Sequence, residues 1–185
     1  MNAHAIPMTP DQTTDEEIVR RAGDGDIPAL EVLYRAHADD VYAVCLRMVG
    51  DERRAEELTQ DTWVRVWQRL GSFRFESSFR TWLYRVTTNV VLQSERSGRR
   101  LGRRAREAIP PDGATPRAED QRVVDRVALE RAIAGLPTRA RAVLVLHDLR
   151  GHSHAEVAEI LAIAEGTSRA HLFAARERLR KALAP

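Results

Sequence analysis

One window of this chain gathers the residue types best suited to binding flat or phosphate-bearing partners: DTWVRVWQRLGSFRFESSFRTWLYRV. Seven of the chain's ten Phe, Trp and Tyr residues (Trp63, Trp67, Phe73, Phe75, Phe79, Trp82 and Tyr84) fall between positions 63 and 84, interleaved with arginine. Aromatic residues at helical spacing build a core. Rings left at an edge beside guanidinium and amide groups instead stack the bases of a single strand and hydrogen-bond their free edges. At about 100° per residue, Ala55, Leu58, Thr62, Trp63, Val66 and Leu70 share one arc, which is core. Phe79, Leu83, Val86 and Val90 form a second core stripe, and Trp82, Arg85, Asn89 and Arg96 line its edge. The segment GSFRFESS between the two places Phe73, Phe75, Glu76, Ser77 and Ser78 in a loop too short for a core of its own.

Opposite the first core arc, Glu57, Asp61, Val64 and Gln68 recur at i, i+4, i+7 and i+11, an acidic stripe with one apolar residue set into it. Such a stripe is either a solvated face or a surface for a partner helix.

Other chemistry is absent or weak. Cys45 is the only cysteine, which excludes an intramolecular disulfide and a thiolate zinc site. It continues the apolar stripe Leu30, Leu33, Val41, Cys45, Met48, which gives it a packing role. His147, His152 and His154 lie in HDLRGHSH without metal-ligand spacing, so no metal or other cofactor is expected. No nucleophile with an adjacent base, glycine-rich phosphate loop or paired buried carboxylate argues for an enzyme.

The charge pattern points to a phosphate-rich partner. All but one of the 29 basic residues are arginine, and RSGRRLGRRAR carries six with no acid among them. A solvated charge run would look the same.

The elements that must position these residues are helices. Ala, Leu, Arg and Glu dominate, and apolar residues recur every three or four positions. Four helical segments are expected over Thr14 to Ala22, Pro28 to Val49, Glu52 to Leu70 and Ser78 to Arg96. Four more are expected over Arg122 to Ala134, Thr138 to Leu149, Ser153 to Leu161 and Glu165 to Leu183. Between the sets, EAIPPDGATPRAEDQR loses the apolar period and reads as a linker. The expected fold is all-α: two small helical bundles joined by a flexible linker, with boundaries 1–106, 107–122 and 123–185. No segment has the apolar length of a membrane span and the start lacks a signal peptide, which predicts a cytoplasmic chain without membrane insertion.

The last 33 residues fit a helix-turn-helix. Ser153 and Glu156 have capping-box spacing; Val157, Ile160 and Leu161 give the first helix its apolar face, and Leu172, Ala175, Leu179 and Leu183 the second. The second helix carries Arg169, His171, Arg176, Arg178 and Arg180, a face suited to a major groove.

In this order the two halves resemble an extracytoplasmic-function (group IV) sigma factor of the bacterial sigma-70 family. RRAEELTQDTWVRVWQRLGSFRFESSFRTWLYRVTTNVV is similar to that family's region 2. LERAIAGLPTRARAVLVLHDLRGHSHAEVAEILAIAEGTSRAHLFAARERLRKAL is similar to its region 4. The resemblance implies a factor that binds core RNA polymerase, directs it to promoters and aids strand opening. It implies docking of Glu57, Asp61, Val64 and Gln68 on the clamp helices of the largest subunit, and contact between region 4 and the flap of the second-largest subunit. Phe75, Glu76, Ser77, Ser78, Trp82, Arg85, Asn89 and Arg96 would hold the −10 element as a single strand. Thr167, Arg169, His171, Arg176, Arg178 and Arg180 would read the −35 duplex. An anti-sigma factor is the further partner implied.

The chain departs from the family pattern in three places. Ala162 stands where the turn usually has glycine, Ala164 where a serine commonly caps the helix, and Ala170, His171 and Ala174 where a serine and two arginines are frequent. If Ala162 must be left-handed, alanine costs roughly 1–2 kcal/mol, and a missing cap about 1 more. Two other readings stay open on the residues alone: a stand-alone helix-turn-helix regulator, and an interaction-only adaptor that never binds promoter DNA.

Overall fold

The computed structural model of the protein describes residues 10–100 and 128–184, with side chains over 16–97 and 128–184. The expected linker and most of the arginine run lie outside the described residues.

Local chemistry sets the helix boundaries. Helix α1 spans Pro10–Gly23 and α2 spans Ile27–Val49. Asp26 caps α2: the Ala29 amide donates to its carboxylate at 3.2 Å, and Pro28 occupies the first turn, where a missing N–H costs nothing. Gly50 ends it at φ 70°, its amide donating to the Leu46 carbonyl at 2.7 Å. Asp51 starts α3, Glu52–Arg69, by accepting from the Arg54 amide at 2.8 Å. A short 3-10 turn, Leu70–Ser72, follows. Helix α4 spans Phe79–Arg100.

In the second half, α5 covers residues 128–134 and α6 spans Thr138–Leu144. The expected single helix to Leu149 is instead divided: after Leu144 the chain widens into a π turn, Val145–Leu149, before Gly151 at φ 75°. Helix α7 is His154–Leu161 and α8 is Glu165–Ala182.

These elements form two helical bundles, α1–α4 and α5–α8, with no strand among the described residues. The expected arc of α3 is buried, from Ala55 through Leu58, Thr62, Trp63 and Val66 to Leu70. So are Leu83, Val86 and Val90 of α4, with Tyr84 and Val91 fully enclosed. Burial pushes the Cys45 thiol up to about 11, in keeping with a packing role. Buried threonines need no outside partner: the hydroxyls of Thr59, Thr62, Thr87 and Thr88 donate to the carbonyls four residues back at 2.7–2.8 Å.

The two bundles share one continuous apolar core. Helix α7 lies along α4, and the C-terminal end of α2 meets α6. There the buried Arg141 guanidinium donates to the Met48 carbonyl of α2 at 2.5 Å and to the Ala134 and Leu136 carbonyls of its own bundle.

Candidate functional site

The window of seven aromatic rings divides between core and surface. Trp63 and Tyr84 are core. Phe73, Phe75, Phe79 and Trp82 form a cluster at the start of α4, with Phe73–Phe75 centroids 4.7 Å apart, Phe73–Trp82 5.4 Å and Phe79–Trp82 5.9 Å. The seventh, Trp67, stands 54% exposed on α3.

Phe75 is held in an unusual way. Its φ is 58°, a left-handed conformation that a bulky residue rarely adopts, and Arg20 of α1 sits over its ring at 5.4 Å. The loop therefore presents a half-exposed ring on a strained backbone, with exposed Glu76 next to it. Ser78 acts within the loop itself, where its hydroxyl accepts from the Thr81 amide at 3.1 Å and caps α4. Ser77 is only partly exposed.

Along α4 the edge residues differ in availability. Trp82 is half-buried in the cluster, whereas Asn89 and Arg96 are exposed. Arg85 is engaged, donating to Glu159 of α7 at 2.6 Å. The helix edge is thus continuous in sequence but covered in part by the second bundle.

On α3, all four stripe residues, Glu57, Asp61, Val64 and Gln68, are exposed. Arg53 approaches Glu57 at 3.5 Å, one turn back. Beside the stripe lies an apolar groove of about 700 Å³ between α2 and α3, lined by Ile27, Leu30, Tyr34, Trp63, Val64 and Trp67 among others. Ile27, Tyr34 and Trp67 were not anticipated as surface residues. The wheel of α3 alone could have flagged Trp67, which lies next to Val64 and off the core arc. Ile27 and Tyr34 needed the pairing of α2 with α3.

Helix α8 follows α7 through a tight turn. Ala162 has φ 50° and ψ 54°, so the left-handed conformation is real. The Ile163 amide donates to Ala158 at 3.0 Å and the Ala162 amide to Glu159 at 3.4 Å, the paired bonds of a Schellman ending. Ala164 is the N-cap of α8 and offers no side-chain bond. The capping box of α7 is complete, with Ser153 and Glu156 each satisfying the other's backbone amide. The Ser153 amide and hydroxyl, both donating to it at 2.8 Å, hold the Glu156 carboxyl below the usual range.

On the outer surface of α8, Thr167, Arg169 and Arg178 are exposed and His171 is half-buried. Arg169 pairs with Glu165 at 2.5 Å, and Arg180 with Glu177. Arg176 is bound sideways: its guanidinium donates to both Asp148 oxygens, at 3.0 and 2.7 Å. Burial raises the Asp148 carboxyl, but Arg176 and His147 outweigh it and leave it low. An arginine held by both oxygens of a carboxylate is a positioned group, not a swinging one. Phe173, 68% exposed on the outward face between Ala170 and Ala174, was not singled out from sequence. Its one signal was an apolar residue off the stripe Leu172, Ala175, Leu179.

The model of Sigma-70 region 2 matches residues 33–101, and that of Sigma-70, region 4 matches residues 126–179. The chain is 34% identical over 182 residues to the ECF RNA polymerase sigma factor SigE of Mycolicibacterium smegmatis, covering 94% of this chain and 69% of that one. It is 31% identical to the ECF RNA polymerase sigma factor SigW of Bacillus subtilis, over 89% of this chain and 94% of the relative. In fold it is similar to CnrH, solved with the cytosolic domain of CnrY, at TM-score 0.68 and 24% identity over 91% of this chain and 96% of that one. It is also similar to the sigma factor RpoE of Bartonella quintana, solved with the anti-sigma factor NepR, at TM-score 0.64 and 23% identity over 83% and 95% of the two chains. With both regions matched in order and relatives aligned over about nine-tenths of this chain, the chain belongs to the extracytoplasmic-function sigma factors of the sigma-70 family, which are transcription initiation factors and not enzymes.

Proposed function

We propose that this protein is a group IV factor acting in the cytoplasm, with polymerase docking, strand holding and −35 reading divided among α3, the loop with α4, and α8. As a sigma factor it binds core RNA polymerase and directs initiation at promoters. The finer assignment gives residues 1–106 to polymerase binding and −10 melting, 107–122 to a tether, and 123–185 to −35 recognition. Glu57, Asp61, Val64 and Gln68 dock on the clamp helices of the largest subunit. Phe75, Glu76, Ser77, Trp82, Asn89 and Arg96 hold the non-template strand, with Ser78 fixing the loop to the helix and Arg85 joining once Glu159 releases it. Thr167, Arg169 and His171 face the −35 duplex. Arg178 and Arg180 bind phosphates, and Arg176 is oriented by Asp148. Region 4 meets the flap of the second-largest subunit, and an anti-sigma factor is a partner, as for the RpoE neighbour.

The observation that carries this reading is the union of stripe and groove. An exposed acidic row beside an unfilled apolar channel offers a basic amphipathic helix pair both charge complementarity and burial. Reversing charge there tests it. Glu57→Arg with Asp61→Arg is expected to keep native helicity and lower affinity for core polymerase at least 10-fold, with a matching loss of promoter-directed transcript in a reconstituted reaction. Unchanged affinity in a folded variant overturns the docking assignment.

A stand-alone helix-turn-helix regulator is not favoured, because region 2 accounts for the first half of the chain.

A further inference from the structure

The exposed ring of Phe75 is held from outside its own loop, by α1. The Arg20 guanidinium lies 5.4 Å from the ring centroid, inside the roughly 6 Å reach of a cation–π contact. Glu17, one turn back, accepts from Arg20 Nη1 at 3.0 Å and keeps the guanidinium close to its helix. The end of α1 is in turn seated on the short turn that launches the loop. Gly23 and Gly71 meet there backbone to backbone: a Cβ on Gly71 would lie 3.0 Å from the Gly23 carbonyl oxygen, and one on Gly23 would lie 3.3 Å from the Leu70 carbonyl oxygen. Both distances are tighter than ordinary side-chain contact, so the two glycines set how closely α1 approaches the loop.

That approach matters because of the backbone it serves. At φ 58° a bulky residue is strained, and such a conformation persists only where its surroundings over-determine it. Phe73 meets the ring from within the loop, its centroid 4.7 Å away, but Phe73 itself belongs to the cluster with Phe79 and Trp82. Arg20 supplies a contact from a second helix, anchored independently of that cluster. It leaves 36% of Phe75 in solvent, so a base can still stack on the exposed part of the ring.

We propose that Arg20 is a positioning residue for base capture: seated on the Phe75 ring from α1, it fixes the strained loop with that ring presented to an unstacked base, and it acts on the strand through Phe75, not by gripping a phosphate. The inference rests on the strand-holding role given to Phe75. Loss of a cation–π contact at an exposed site corresponds to about a 2- to 5-fold loss of affinity. Because Arg20 works through the ring, that loss vanishes when the ring or its base is already gone.

The test uses holoenzyme assembled from core polymerase and the full chain, titrated with fork-junction DNA whose −10 non-template strand is unpaired. The fork is used intact and with an abasic site at each unpaired position in turn. Arg20→Gln is expected to bind the intact fork about 2- to 5-fold more weakly. Its Tm, its affinity for core polymerase and its salt slope are expected to match wild type, since the side chain lies on the surface. Arg20→Lys, which keeps a cation over the ring, is expected to recover most of the loss. In a Phe75→Leu background, and on the abasic fork where Phe75→Leu itself has no further effect, Arg20→Gln is expected to change affinity by less than about 1.5-fold. A loss that persists in the Phe75→Leu background overturns the proposal, and a salt slope shallower by about one unit then identifies a phosphate contact. A folded Arg20→Gln chain that binds the intact fork like wild type overturns it too. Phe75→Leu separates the two levels. If it binds every fork like wild type, the strand-holding role of Phe75 falls; if it binds weakly while Arg20→Gln does not, the positioning role of Arg20 falls alone.

Discussion

Phe75 is the residue whose geometry says most about its use. A phenylalanine at φ 58° carries backbone strain of about 1–3 kcal/mol, which the surrounding contacts with Phe73 and Arg20 must over-determine. That strain holds one ring half out of the protein beside Glu76, ready to meet a base at a stacking gain of roughly 1–3 kcal/mol. Phe75→Ala and Asn89→Ala are therefore expected to reduce open-complex formation about 10-fold or more while leaving initial promoter binding within 2-fold, measured by permanganate reactivity of unpaired thymines on a fixed promoter. Trp82→Ala is a poorer probe, since that half-buried ring also packs on Phe73 and Phe79 and its loss costs stability. The sequence placed Trp63 on the core arc, Trp82 at the helix edge and Phe75 in the loop, as found, but it put Phe79 in the core stripe, where the structure leaves it half-buried in the ring cluster; how Phe75 is held was not legible, because position on a helix wheel cannot register a left-handed loop or a neighbour from α1.

At the scale of elements, what could be read in advance was whatever a single helix states about itself. The α3 core arc and the α7 capping box follow from spacing and cap chemistry, and the structure bears out both. The α2–α3 groove was not legible, because Ile27 and Tyr34 acquire meaning only once α2 lies against α3. The division of the sixth helix was missed too, since nothing in the period of Thr138 to Leu149 marks a π turn. The α7–α8 turn yields a stability prediction. Ala162→Gly removes the left-handed cost of alanine, offset in part by the greater freedom of glycine in the unfolded chain, and Ala164→Ser supplies the absent cap of α8. Together they are expected to stabilise the fold by about 2 kcal/mol, a rise in Tm of about 4–8 °C by calorimetry. A Tm unchanged or lowered by the pair would show that the turn relaxes once α8 is capped.

At the scale of the whole molecule, the bundle junction makes stability pH-dependent. Burial lowers the His152 pKa, Arg80 and Arg150 act in the same direction, and Glu156 opposes them. His154 is lowered as well, by burial and by its neighbour His147. A histidine with a depressed folded-state pKa contributes full stability above its unfolded value of about 6.5 and loses it as pH falls below that value through the folded one. Acidification from pH 7.5 to 5.5 is thus expected to lower Tm, by a smaller amount in His152→Gln. Equal losses in the two proteins would remove His152 from the account. None of this was visible beforehand, because HDLRGHSH shows no sign that Tyr84, some 70 positions earlier, is what His152 packs on.

Arg141 also makes sequence distance a matter of time. Its acceptor, the Met48 carbonyl, lies 93 positions upstream. A ribosome adding about 5–20 residues per second leaves the end of α2 without that guanidinium for about 5–20 s. Throughout that interval the first bundle must persist with part of its shared apolar face and one buried acceptor unfinished. For several seconds of every synthesis, the nascent chain therefore shows chaperones a surface that the finished protein hides.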